Sequence, residues 1–121
     1  MNVNIARLLH EAKRLSKFYR AEVYLVGSAL TKERPRDLDI RVYLGPGVFK
    51  RRFGIGDKKF YKEGATGQWS AARYRWSRHC TAVAHSMSVY LKVNVDFQVR
   101  PAFDWGLMRL EKHPQMRLWP Q

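Results

Sequence analysis

A single cysteine, Cys80, stands in a chain of 121 residues. That excludes an internal disulfide and any cysteine-cluster zinc site, and it suits a reducing compartment. A lone thiol at helical spacing among apolar neighbours reads as a small buried side chain, so no chemistry is assigned to it. The four histidines, His10, His79, His85 and His113, share no metal-ligand spacing on one helix, and no zinc site is expected. Long apolar runs are missing too. The first twenty residues alternate charged and apolar side chains at helical spacing instead of forming a signal peptide or a membrane span, so the expectation is a cytoplasmic protein with no membrane association. Negative charge is the scarcest commodity: ten Asp and Glu face 23 Lys and Arg, a formal net charge of +13. Such an excess attracts polyanions and speeds their encounter; nucleic acid, nucleotides and anionic surfaces all qualify, as does a solvated basic surface that serves solubility.

What is present is ample material for one core. The chain is 45% hydrophobic, with six Phe, six Tyr and four Trp, and a chain of this length buries roughly two-thirds of the surface its unfolded form exposes. One domain over residues 1–121 is expected, with its core in 4–100 and a C-terminal tail at 101–121. Residues 4–19 repeat apolar side chains three or four apart and predict a helix. Glu22 to Val26 reads as a strand entering a turn at Gly27. Residues 29–36 hold at most a short helical turn before Pro35. Residues 37–44 alternate strictly, with Leu38, Ile40, Val42 and Leu44 on one face and Asp37, Asp39, Arg41 and Tyr43 on the other. Residues 45–68 carry most of the glycines, Pro46 and a basic series, and read as a long Gly-rich loop, with a hairpin on residues 49–62 as the alternative. A long helix over 69–91 and an alternating strand over 92–99 follow. In the tail, Phe103 to Lys112 forms one plausible helical stretch before Pro114.

Three of the few carboxylates occupy strand positions, where Asp is normally depleted. Asp37 and Asp39 are two apart on one strand and project from the same face. If the strand carrying Asp96 pairs beside theirs, three anions converge, and they persist only if protonated, paired with Arg or Lys, or shared by a cation. Magnesium, or manganese in its place, takes oxygen ligands from carboxylates, water and phosphates. Upstream, Gly27 permits close backbone approach and Ser28 offers an amide and a hydroxyl to a phosphate. The plainer alternative has Asp37 capping a turn, Asp39 paired with Arg41 or Arg36, and Asp96 paired with a lysine.

The segment VYLVGSALTKERPRDLDIRVYL, residues 23–44, resembles the signature of the DNA polymerase beta-like nucleotidyltransferase superfamily: an apolar strand, Gly-Ser, a spacer, then Asp-x-Asp in an alternating strand. VNVDFQV, residues 93–99, is similar to the later strand that supplies a third carboxylate, and the likeness spans residues 4 to about 100. It implies an α/β (α+β) fold, a small mixed β-sheet with helices packed mainly on one face. It further implies that Asp37, Asp39 and Asp96 are catalytic and hold the metal, and that Gly27 and Ser28 hold a nucleoside triphosphate. The implied reaction is Mg-dependent transfer of a nucleoside monophosphate to an acceptor hydroxyl with release of pyrophosphate. Arg36, where minimal members often carry Ser, is placed to pair with a phosphate or to neutralise Asp37. Many relatives complete the nucleotide pocket with a second helical domain, a role that a protein partner, a homodimer or the substrate itself would have to fill here.

The acceptor side is sought in the basic stretch. Lys50, Arg51, Arg52, Lys58, Lys59, Lys62 and Arg73 are interleaved with Phe53, Phe60, Tyr61, Trp69, Tyr74 and Trp76, the cation-plus-aromatic mixture that single-stranded nucleic acid requires, with RNA favoured. The competing reading puts Trp76 and several other aromatics in the core with the cations as a solvated rim. Two other functions remain open: an antitoxin-type minimal nucleotidyltransferase that binds or adenylylates a partner protein, and a non-catalytic nucleic-acid-binding module.

Overall fold

The structure is a computed structural model that describes residues 3–27, 37–102 and 115–121. Helix α1 (Ile5–Tyr19) starts where the Asn4 side chain accepts a hydrogen bond from the Arg7 amide at 3.1 Å, satisfying one of the unpaired donors of the first turn. Leu8, Ala12, Leu15 and Tyr19 form its buried stripe, and the left-handed Arg20 closes it.

The described residues hold four strands, β1 (Val23–Val26), β2 (Leu38–Leu44), β3 (Val95–Pro101) and β4 (Gln115–Trp119), of which β2 and β3 show the expected alternation. They form one mixed sheet in the order β3-β2-β1-β4, with β1 antiparallel to both β2 and β4, and β2 parallel to β3. In β2 the even-numbered apolar residues from Leu38 to Leu44 are buried, while Asp39, Arg41 and Tyr43 are half-buried on the opposite face. The fold class read from the sequence, a small α+β domain, is the one observed. The tail also contributes β4, a strand the sequence reading did not contain, whose Leu118 enters the core. The expected turn over 29–36 and the expected helix over Phe103 to Lys112 lie outside the described residues.

One expectation is overturned. Residues 45–68 are neither a long loop nor a hairpin but two helices, α2 (Pro46–Phe53) and α3 (Asp57–Thr66). The residues that looked like loop punctuation are caps. Pro46 sits in the first turn, where its missing N–H is not needed. Gly54 and Gly67 take the left-handed conformation just past each helix, and their amides donate to the Lys50 and Glu63 carbonyls. Phe49, Phe53, Ile55 and Phe60 then fill the core, which explains why a stretch so rich in Gly and Lys is ordered.

Helix α4 (Ala71–Leu91) is capped by Ser70, whose hydroxyl accepts from the Arg73 amide. Glu63 reaches across from α3 and accepts from both the amide and the hydroxyl of Ser70 at 2.9 Å, fixing the corner between the two helices. These bonds hold the Glu63 carboxyl below its usual range, against an opposing effect of burial. Helix α4 also covers the outer edge of β3. Ser88 Oγ accepts from the Val95 amide at 3.0 Å, Trp76 Nε1 donates to the Val99 carbonyl at 2.7 Å, and the Val99 amide points at Cys80 Sγ. An edge strand that would otherwise invite a foreign strand is thereby occupied by side chains. Every helix and strand among the described residues contributes to one hydrophobic cluster, with Ile40, Val42 and Val99 completely buried in it.

Candidate functional site

The registers of the sheet assemble the site. Parallel pairing of β2 and β3 sets Asp39 directly beside Asp96, and neighbouring strands lie about 4.8 Å apart. Antiparallel pairing of β1 and β2 sets Val26 opposite Asp39, so the next residue, Gly27, turns over the same point. Asp96, Asp39 and the end of β1 therefore form one row across three strands. Asp37 stands exposed at the start of β2.

Gly27 adopts φ +76, and a Cβ built there would lie 2.7 Å from Asp39 Oδ2. Both the backbone conformation and the space at this turn thus demand glycine. Asp39 pays most for the convergence: burial, foremost, raises its carboxyl above the usual range. Arg41 opposes the shift, while the charges of Asp96 and Asp37 and a hydrogen bond shared with Asp96 add to it. Arg41 resolves one of the sequence alternatives in an unexpected way. Its guanidinium pairs with Asp96 Oδ2 at 3.2 Å and donates to the Asp96 carbonyl at 3.0 Å. Asp96 thus takes an arginine from the neighbouring strand rather than a lysine.

Asp37 and Asp96 also line a cleft of about 500 Å³ between β3 and α4, within the size range of small-molecule sites. Its walls include Gln98 and Arg100 from β3 and Trp69 and Arg73 from α4 and the turn before it. Gln98 and Arg100 were not among the candidates from the sequence, although they follow Asp96 at intervals of two and so share its face. Arg100 donates to Gln98 Oε1 at 2.9 Å.

The basic residues separate into two groups. Lys50, Arg51 and Arg52 on α2, and Lys58, Lys59 and Lys62 on α3, are exposed. Arg73 is not a surface cation: it is 6% exposed, donates to the Phe60 carbonyl and lies against the rings of Phe60, Trp69 and Trp76. Its role is to bind α3 to α4 and to form part of the cleft wall. Trp76 and Phe60 are likewise core, whereas Trp69 and Tyr74 keep exposed ring surface and contact each other at 5.1 Å. Ser28 and Arg36, both expected at the phosphates, lie outside the described residues.

Among the described residues, no group of three or more His, Cys, Asp or Glu side chains is arranged to hold a metal ion. The donors of the row are carboxylate oxygens, the ligand type that a hard divalent cation takes, and the Cys80 thiol lines the same cleft as Asp37 and Asp96. Among the same residues, no helix is long and apolar enough to cross a membrane. Compared with known proteins, the chain matches no family model, no curated protein and no solved structure.

Proposed function

We propose that this chain is a metal-dependent nucleotidyltransferase that moves a nucleoside monophosphate from a triphosphate to an acceptor hydroxyl, with RNA as the favoured acceptor. The observation that carries the reading is the row of Asp96, Asp39 and Gly27 across three adjacent strands. A basic chain that sets carboxylates side by side at the foot of a glycine turn accepts electrostatic repulsion that a structural role does not require. Asp37, Asp39 and Asp96 would hold magnesium or manganese, whose charge, when bound, would offset that of the phosphates and of the pyrophosphate leaving group. Arg41 supplies the positive charge at Asp96 meanwhile.

The chain's own groups account for the remaining tasks. The turn at Gly27, having no side chain, leaves the Asp39 carboxylate room to lie against the backbone within the row. Arg100 in the cleft wall offers a cation to phosphate oxygens, and Trp69 at its rim offers a ring face to a base. In the transfer, the acceptor oxygen forms a bond to the α-phosphorus and the α–β anhydride bond breaks. The hydroxyl proton passes to a carboxylate of the row and then to water.

A second reading, a nucleic-acid-binding module with structural carboxylates, draws support from the Arg41–Asp96 pair, which already neutralises one of the three anions. The two separate in one assay. The purified chain is incubated with magnesium and each labelled triphosphate, with RNA, DNA and the protein itself as acceptors, beside Asp37→Ala and Asp39→Ala. Label transfer by the wild type that disappears in both variants is expected. No transfer, together with no metal-dependent triphosphate binding, would leave the binding module as the function.

A further inference from the structure

On the other side of α4 from the β3 cleft's polar wall, the structure holds a second polar pocket that the carboxylate chemistry does not use. It has a volume of about 370 Å³ and is lined by Arg52 and Phe53 at the end of α2 and by Arg75 and His79 of α4. Arg75 and His79 are one turn apart and share a helix face. The Phe53 ring stands edge-on to His79 at 5.4 Å and forms an apolar wall.

Two features give this pocket a defined shape. Arg52 is held over the rings of Phe18 and Tyr19, with its guanidinium carbon 4.7 and 4.8 Å from their centroids, so its planar fork is ordered without a carboxylate partner. His79 is fixed by a 2.6 Å hydrogen bond between its Nε2 and the Tyr19 hydroxyl. Arg75 runs beside the Gly54 turn, where a Cβ would meet its guanidinium at 3.5 Å.

The charge around the pocket has one sign. The ion pairs found among the described residues are Arg14–Glu11, Arg41–Asp96, Lys59–Glu63 and Arg117–Glu22, and neither Arg52 nor Arg75 belongs to any of them. Two guanidinium groups facing one cavity repel unless an anion lies between them, and their forked donors match the oxygens of a phosphate. His79 registers this field: burial, and then the Arg52 charge, pushes its imidazole below the usual range.

We infer that the Arg52–Arg75–His79 pocket is a phosphate-binding site, which gives the basic helices α2 and α3 a specific anchor for a phosphate group of single-stranded RNA. The site stands independently of the proposed transfer chemistry, because it needs neither the metal nor the carboxylate row. Arg52 and Arg75 grip the phosphate oxygens, the Phe53 wall excludes water from one side, and the exposed Lys50 and Arg51 lie on the same helix as Arg52 for the neighbouring phosphates.

The test measures binding of a short fluorescent single-stranded RNA by anisotropy across a salt series, with no triphosphate or divalent metal present. Arg52→Gln/Arg75→Gln is compared with Lys58→Gln/Lys62→Gln, which removes equal charge from α3. The arginine pair is expected to lose on the order of tenfold in affinity. The slope of log K against log salt should fall by about 0.7, the value for the one phosphate the two arginines share; the lysine pair should lose clearly less affinity. Equal losses in the two pairs, or none in the arginine pair, would overturn the site. Because Arg52 also packs on Phe18 and Tyr19, circular dichroism checks folding, and Arg75→Gln alone serves if the double variant is unfolded.

Titration of the wild-type chain with inorganic phosphate, followed on the His79 ring signals by NMR, separates the two sources of the anion. A shift caused by phosphate alone and lost in the arginine variant supports a site for the free anion as well as the ester. A shift caused only by RNA, and likewise lost, supports a site for the backbone phosphate. No shift from either overturns the proposal.

Discussion

Gly27→Ala is the sharpest test of the site's construction, because the structure assigns it two separable costs. The left-handed backbone at φ +76 costs a residue with a Cβ about 1–2 kcal/mol. The new Cβ also meets Asp39 Oδ2 at 2.7 Å, and the carboxylate can escape only by swinging out of the row. Two other glycines isolate the terms. Gly67 has φ +75 with open space around it, so Gly67→Ala reports the backbone cost alone. Gly47, in the first turn of α2, has neither a positive φ nor a neighbour within 4 Å, so Gly47→Ala should be neutral or stabilise by up to about 1 kcal/mol through the unfolded state. Urea unfolding followed by tryptophan fluorescence reads all three. The expected order of stability is Gly47→Ala at or above wild type, Gly67→Ala about 1–2 kcal/mol below it, and Gly27→Ala at or below Gly67→Ala. For a domain of this size each kcal/mol corresponds to about 3–5 °C in Tm. In the transfer assay Gly27→Ala should fail while Gly67→Ala works, although both are similarly destabilised. If Gly27→Ala is as stable as wild type, or clearly more stable than Gly67→Ala, the close packing of the turn on Asp39 is refuted.

Three further outcomes follow from particular side chains. Asp39→Asn should stabilise the metal-free chain while abolishing transfer. The folded carboxyl is raised, so its favourable contribution is full below the ordinary aspartate value and is lost as pH rises through the folded value; thermal melts of the two proteins should diverge progressively across that window and stay apart above it. Glu63 behaves in the opposite sense. Its folded carboxyl is lowered by Ser70, so its stabilisation is present above the ordinary glutamate value near 4.5 and disappears as pH falls through the lower folded value. Glu63→Gln should therefore flatten the acid limb of the stability profile, and Ser70→Ala, which loses the α4 cap, should cost about 1 kcal/mol by urea unfolding. Cys80 is 4% exposed and burial pushes its thiol up to about 11, so a thiol reagent at neutral pH should modify it no faster than the chain opens. Rapid modification of the native protein would contradict its placement against β3.

The alternation of β2 and β3 was legible because period-two patterning states which residues share a face: Asp39 and Asp96 were each assigned to the polar side before any pairing was known. The amphipathic spacing of α1 and α4 was legible for the same reason, with Leu8, Ala12 and Leu15 on one helix and Trp76, Cys80 and Met87 on the other. Residues 45–68 were misread because Gly and Pro mark both loops and helix ends, and composition does not say which. The aromatic spacing Phe49, Phe53 was the signal that separates them, since four residues is one helical turn. The five-residue β4 was too short for its pattern to stand out from an irregular tail.

By itself, then, the sequence determined the fold class, the polar face of each central strand and the glycine at the turn, because these follow from local periodicity and from the conformation each residue permits. Only the tertiary structure decided that Arg41 goes to Asp96, that Arg73 is buried while Lys50 and Lys62 are not, and that Arg52, Arg75 and His79 meet around one pocket. Those outcomes depend on strand register and on which helix faces pack together, and such contacts between distant residues leave no local trace in the chain.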